Sequence, residues 1–364
     1  MVPSFFLSDN SSIGWLLSLV FALLLILAVL LSIAFFTVFE RKVLAAVQGR
    51  KGPNFVGFMG ILQAIADGLK LFLKETTIPN RASKFLFVFS PIFMFFLSLC
   101  GWLVVPINGV VVANIDLALV FIFMISSLNV YSILGAGWSS NSRYAFLGSL
   151  RAAAQVISYE IIMGVSFLLT VVISQSYNLT DIVEMQRDCP FILTMFPFFV
   201  LFFIAILAET NRVPFDLPEA ESELVSGYNV EYSGFMFTLF FLAEYATIIL
   251  FSNVIAILFL GGWVFPDLGI FSLFVYLVKV IFVLFCFVLI RGVLPRYRYD
   301  QLMMLGWTIL MPVAFGLFFF HIAVFFFFLF KLFHYNFFYE WQLHLSLIDK
   351  SIPFLFYFLR SSYL

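Results

Sequence analysis

The chain has 364 residues, 63% of them hydrophobic and 11% charged, with a mean hydropathy of +1.11. A water-soluble domain needs roughly 25% charged residues to cover its surface, so a soluble globular protein is excluded and a membrane protein is implied. Lys and Arg number 19 against 20 Asp and Glu, which excludes a general basic surface for nucleic acid.

In chain order, eight stretches are long and apolar enough to cross a bilayer, which takes about 20 residues of helix. They cover residues 13–39, 85–105, 115–137, 144–174, 191–208, 234–262, 270–294 and 302–330. The first has no basic leader and no small-residue cleavage site before a polar domain, so it reads as a retained span. The expected fold is all-α: a polytopic membrane helix bundle with eight transmembrane helices. Phe occurs 53 times against eight lysines, a ratio that points to a T-rich coding strand such as some organelle genomes carry.

Charge in the connections orients the bundle, because Lys and Arg collect on the inner side. With the N-terminus outside, the inner connections hold Arg41, Lys42, Arg50, Lys51, Lys70, Lys74, Arg81, Lys84, Arg143, Arg212, Arg291, Arg296 and Arg298. The outer connections between spans hold only Arg187. Both termini are therefore expected outside.

Residues 58–75 lie between the first two spans and are too charged to cross. Ile61, Leu62, Ile65, Leu69 and Phe72 fall on one side of a helix, with Gln63, Asp67, Lys70 and Lys74 on the other. This is the pattern of an amphipathic helix lying in the inner interface, either as an anchor or as the wall of a site. Upstream, Gly49, Arg50, Lys51, Gly52, Pro53 and Asn54 form a turn-rich basic loop.

Four ionisable residues fall at interior depth within spans: Arg151, Glu160, Glu244 and Lys279. A charge at the bilayer centre costs on the order of 3 kcal/mol or more, so these are expected to face one another or water. Around Glu160, small residues alternate with Gln155, Ser158 and Tyr159, a surface that accepts a close helix and water. A structural ion pair is the plainer alternative.

A second concentration of charge lies at residues 209–233, on the inner side. Glu209, Asp216, Glu219, Glu221, Glu223 and Glu231 are answered by one basic residue, Arg212. A solvated acidic loop would explain the charge, but not the interleaved Pro214, Phe215, Leu217, Pro218, Leu224 and Val225. Carboxylates crowded together and drawn partly out of water titrate jointly and at higher pH, as a proton entry or relay requires.

Cys100, Cys189 and Cys286 are too far apart in sequence for a CxxC or ferredoxin-type run. His321, His334 and His344 read as apolar or interfacial residues rather than haem or zinc ligands. No metal site, no nucleophile constellation and no covalent catalytic residue is expected. There is no internal repeat and no second domain: residues 13–330 form one membrane domain, and 331–364 an aromatic extension without evident chemistry.

Three blocks carry a resemblance. ERKVLAAVQGRKGPNFVGFMGILQAIADGLKLFLKE at 40–75, YSILGAGWSSNSRYAFLGSLRAAAQVISYE at 131–160 and AETNRVPFDLPEAESELVSGYNVEYSGFMF at 208–237 are similar to the NADH–ubiquinone oxidoreductase chain 1 family. RGVLPRYRYDQLMMLGW at 291–307 agrees more weakly. The resemblance implies an eight-span membrane subunit at the heel of respiratory complex I, in the mitochondrial inner membrane. The termini would face the intermembrane space and the acidic loop the matrix.

It further implies that the chain forms much of a ubiquinone chamber and couples quinone reduction to proton translocation. Ubiquinone would be the substrate, with nothing bound covalently. FMN, iron–sulfur clusters and NADH oxidation would belong to partner subunits: the quinone module of the hydrophilic arm, with small membrane subunits and lipid alongside. Matching positions put Glu40, Arg41, Arg50, Phe215 and Asp216 at the chamber. Glu160, Glu209, Glu219, Glu221, Glu223, Glu231 and Glu244 would serve proton coupling, with Arg151 and Lys279 as intramembrane charge partners. The membrane subunit of an energy-conserving hydrogenase is the alternative. Residues 175–190 and 331–364 depart from the family pattern, and no role carries over to them.

Overall fold

The computed structural model describes residues 12–216, 227–266 and 269–327, and it divides into two compact units, Met1–Phe315 and Gly316–Leu364. In the first, α1 (Ser12–Val47), α2 (Gln63–Leu73), α3 (Lys84–Cys100), α4 (Ala118–Ser139) and α5 (Arg143–Ser174) follow one another. Then come α6 (Leu179–Met185), α7 (Phe191–Thr194), α8 (Phe196–Glu209), α9 (Gly234–Leu258), α10 (Ser272–Val293) and α11 (Tyr299–Met304). A π-helical turn, Leu305–Leu310, continues from α11. The described residues of the second unit, 316–327, are helical. No strand occurs among the described residues, only one isolated bridge from Ile107 to Val110.

Seven helical stretches among the described residues are long and apolar enough to cross a membrane. The stretch expected at 191–208 is the exception. Met195 leaves helical geometry, at φ −125 and ψ 37, and splits it into the one-turn α7 and the 14-residue α8. At 1.5 Å per residue α8 alone reaches about 21 Å, short of a hydrocarbon core of about 30 Å.

The segment between the first two spans also differs in detail from its expected form. Residues 58–60 make a 3-10 turn with Met59 at φ 53, and the regular helix begins at Gln63 and ends at Leu73. The turn is closed by Gly60 at φ +75, where a Cβ would collide with the Pro53 carbonyl. None of the residues of α2 is buried, and Ile65, Leu69 and Phe72 stay exposed in the isolated chain, as an apolar face made for lipid or a partner would.

The most enclosed helix is α9, with 83% of its most apolar stretch buried, against 22% for α1 and 28% for α10. Against it pack Phe87 and Met94 of α3, Ile133 and Ala136 of α4, and Ala152 of α5, together with Tyr228 and Tyr232. The Phe87 and Tyr232 rings stack at 4.0 Å between centroids, and Phe240 meets Tyr232 edge-on at 4.9 Å. Burial pushes the Tyr232 phenol up to about 12.

Small residues let the backbones close in. A Cβ on Gly148 of α5 would stand 2.9 Å from the Gly227 Cα and 3.1 Å from the Tyr228 nitrogen. That contact brings the turn Gly227–Asn229, toward the downstream end of the acidic segment, against α5.

Candidate functional site

Two polar clusters stand out within the apolar bundle. The first surrounds Glu40, buried near the C-terminal end of α1. Its carboxylate meets Arg291 of α10, receives a hydrogen bond of 2.5 Å from the Tyr245 hydroxyl of α9, and lies 3.5 Å from Arg212. Arg212 sits just past α8, where Asn211 takes φ 51 and turns the chain. Its guanidinium stacks on the Tyr245 ring, 4.5 Å from the centroid. Arg291 occupies the last turn of α10, where a cation also complements the helix dipole. Phe36, Ile248, Phe287 and Val288 close the apolar walls around this group.

From there the chain runs into the upstream end of the acidic segment. Phe215 is buried and packs between Tyr159 and Tyr297, with ring centroids 5.5 and 5.8 Å away. Asp216 is buried and lies 3.3 Å from Arg296, while the Tyr297 amide donates to the Pro214 carbonyl at 3.1 Å. The connection between α10 and α11 thus pins this segment. Gln155, fully enclosed in α5, holds it from the other side by donating to the carbonyls of Ala208 at 2.8 Å and Phe215 at 2.7 Å.

The second cluster is a small cavity lined by Glu209 of α8, Glu244 of α9, Asn129 of α4 and Asn211. Glu244 accepts a 2.6 Å hydrogen bond from Tyr228. Glu209 is the last residue of α8, and its Oε2 is buried without a hydrogen-bond partner, as is the Oε1 of Glu160. Those two carboxyl groups are near enough for their charges to interact. Glu209 of α8 thus shares a cavity with Glu244 of α9 and interacts with Glu160 of α5.

Other expected residues fall elsewhere. Arg41 is half exposed and pairs with Asp67 of α2 at 2.5 Å, tying α1 to α2. Arg50 is exposed in the turn after α1, and Glu231, partly buried, lies in the turn before α9. Arg151 sets its guanidinium over the Tyr299 ring at 5.7 Å. Lys279, expected to face another charge or water, meets backbone carbonyls. Its ammonium donates to the carbonyls of Leu260 at 2.6 Å, Gly262 at 2.8 Å and Phe265. Glu219, Glu221 and Glu223 lie outside the described residues.

The sequence pattern does not single out Tyr245, Tyr228 or Asn129, and it presents Arg212 and Arg291 only as loop charge. A signal exists for two of these five. Arg212 is the one cation in the acid-rich segment, and Asn129 is the one amide inside its span. Nothing local distinguishes the two tyrosines from the other 12 of the 14 in the chain.

Comparison with known proteins gives the wider context. The chain is 50% identical over 308 residues to NADH-ubiquinone oxidoreductase chain 1 of Chondrus crispus, covering 82% of this chain and 94% of that one. With NADH-ubiquinone oxidoreductase chain 1 of Arabidopsis thaliana it shares 51% identity over 296 residues, covering 80% and 91%. A bacterial NADH-quinone oxidoreductase subunit, from Rhodospirillum rubrum, is 52% identical over 297 residues, covering 80% and 88%. The NADH dehydrogenase family model matches residues 20–342, a range that takes in both polar clusters. The chain belongs to the NADH dehydrogenase family of membrane subunits.

Proposed function

We propose that this chain is the membrane subunit of a proton-translocating NADH–quinone oxidoreductase in the mitochondrial inner membrane, and that it couples quinone reduction to proton movement. The observation that carries the reading is the cavity shared by Glu209 and Glu244, with Glu160 close enough to Glu209 for their charges to interact. Carboxyl groups enclosed in this way bind and release protons in response to charge nearby, because a medium of low polarity screens little.

In this reading ubiquinone enters beside α2, which lies in the membrane interface, and its chamber is bordered by Glu40, Arg41, Arg50, Phe215 and Asp216. Reduction to quinol consumes two electrons and two protons. The resulting demand for protons is met through the acidic segment, with Glu219, Glu221, Glu223 and Glu231 on the approach, and reaches Glu209, Glu160 and Glu244. Driving one proton against a membrane potential costs about 2.3 kcal/mol per 100 mV, so the energy comes from the redox reaction. FMN and iron–sulfur clusters sit in partner subunits of the hydrophilic arm, docked on the inner, matrix side over the acidic segment. Small membrane subunits and lipid surround the rest.

The remaining architecture follows the same scheme. Residues 13–330 form one membrane domain in which α7 and α8 together make an eighth crossing, and both termini face the intermembrane space. Residues 331–364 extend beyond it. In the assembled enzyme, Glu160→Gln is expected to lower rotenone-sensitive NADH–quinone activity or proton pumping. Wild-type values of both in fully assembled complex would overturn the reading.

A further inference from the structure

The cavity between α4, α8 and α9 presents oxygen atoms that the chain's own donors leave unanswered. Asn129 Oδ1 and Glu209 Oε2 are both buried, both belong to residues lining the cavity, and neither has a hydrogen-bond partner. The two threonines on the same wall are already engaged: Thr210 donates to Ile206 at 2.9 Å, and Thr247 to the Glu244 carbonyl at 2.8 Å. The serines near Asn129 on α4 behave likewise, with Ser126, Ser127 and Ser132 bonded to carbonyls of their own helix at 2.8, 2.9 and 2.6 Å. Of these polar residues of α4, only Asn129 lines the cavity. The void has room for about one or two water molecules. Water carries two O–H donors on one small oxygen, the complement of two lone acceptors.

We propose that Asn129 is a positioning residue of the proton path, whose Oδ1 holds a water molecule between Glu209 and Glu244. The inference rests on the coupling role proposed above and adds the vehicle of transfer to it. The water accepts a hydrogen bond from whichever carboxyl group is protonated, donates one O–H to the carboxylate of the other, and donates its second O–H to Asn129. When the first carboxyl gives its proton to the water oxygen, the water gives a proton to the second carboxylate. One O–H bond forms as another breaks, the water is regenerated, and no oxidant or reductant is needed. Asn129 titrates with neither partner, so it orients the water without competing for the proton.

The test uses the assembled complex with three variants. Asn129→Leu keeps the branching and heavy-atom count of the side chain and removes the acceptor. Asn129→Ser vacates space for a second water bonded to the first. Glu209→Gln removes a carboxyl group. Asn129→Leu is expected to lower coupled proton pumping about tenfold, the scale on which the outer partners of a reacting group act, and to change the solvent deuterium isotope effect. Asn129→Ser is expected to restore most of the loss. A structure of the unsubstituted complex at a resolution that shows water is expected to place one within hydrogen-bond distance of Asn129 Oδ1.

The inference is overturned if Asn129→Leu pumps normally. It is equally overturned if the Leu and Ser variants lose the same activity with an unaltered isotope effect, since that is a packing defect. Glu209→Gln separates the two levels. A loss there with Asn129→Leu silent removes the water site alone, whereas normal pumping by Glu209→Gln removes the coupling role on which it rests.

Discussion

At the scale of single residues, Glu40 shows how a carboxylate is kept inside an apolar bundle. Burying one charge is expensive unless hydrogen-bonded partners surround it, and two helices and a turn contribute to that shell. The Tyr245 hydroxyl donates to one carboxylate oxygen, while Arg212 and Arg291 approach the other. A hydrogen bond to a charged group contributes about 1.5–3 kcal/mol, so Tyr245→Phe is expected to destabilise the site by about that amount. Glu40→Gln is expected to cost more, about 3–5 kcal/mol, because it strips the counter-charge from buried guanidinium. Thermal inactivation of the assembled enzyme orders the two variants. Equal midpoints for unsubstituted, Tyr245→Phe and Glu40→Gln proteins would contradict this account of the cluster.

At the scale of elements, the long apolar helices are legible in sequence because a 20-residue apolar run has few other uses, and α1, α3, α4, α5, α9 and α10 all lie where such runs do. What is not legible comes from backbone geometry. The break at Met195 sits in a strongly apolar stretch where Pro197, in the first turn of α8, is the local signal of a helix start, while hydropathy does not register a change of ψ. The same limit applies to the sites. Glu160, Glu209 and Glu244 stand out as acids in or beside spans, but their meeting at one place depends on how α5, α8 and α9 pack. Lys279 stands out on charge alone. The carbonyls it answers belong to a connection 14 to 19 residues earlier, whose fold the sequence pattern does not reveal.

The contact of α5 with the turn Gly227–Asn229 gives a prediction at this scale. A methyl group on Gly148 would meet backbone at about the limit that real contacts reach, and backbone yields less readily than a side chain. Gly148→Ala is expected to displace Tyr228, loosen its bond to Glu244 and reduce proton pumping more than it reduces the amount of assembled complex. Equal pumping per assembled enzyme would show that the turn tolerates the methyl group.

At the scale of the whole molecule, the exposed surface is apolar almost everywhere that the spans run. Leu19, Leu23, Leu24, Leu27 and Leu31 of α1, and Phe274, Leu277, Val278, Ile281 and Phe282 of α10, are all exposed in the isolated chain. Such continuous apolar faces belong against lipid or other membrane helices. The orientation proposed for the bundle makes opposite ends accessible from opposite sides. Cys189, an exposed free thiol between α6 and α7, is expected to react with a membrane-impermeant maleimide from the outer side. A cysteine introduced as Arg50→Cys is expected to react only from the inner side. Labelling of both from one side would overturn the topology.

The two ends of the acidic segment have a consequence for how a signal can leave it. Upstream, Glu209 and Asn211 line the cavity, and downstream Tyr228 bonds Glu244, which lines it too. The segment is therefore a tether whose two described ends are fastened to the same small space. A displacement that reaches both ends acts on Glu209 directly and on Glu244 through Tyr228, so the two carboxyl groups sense one mechanical event together.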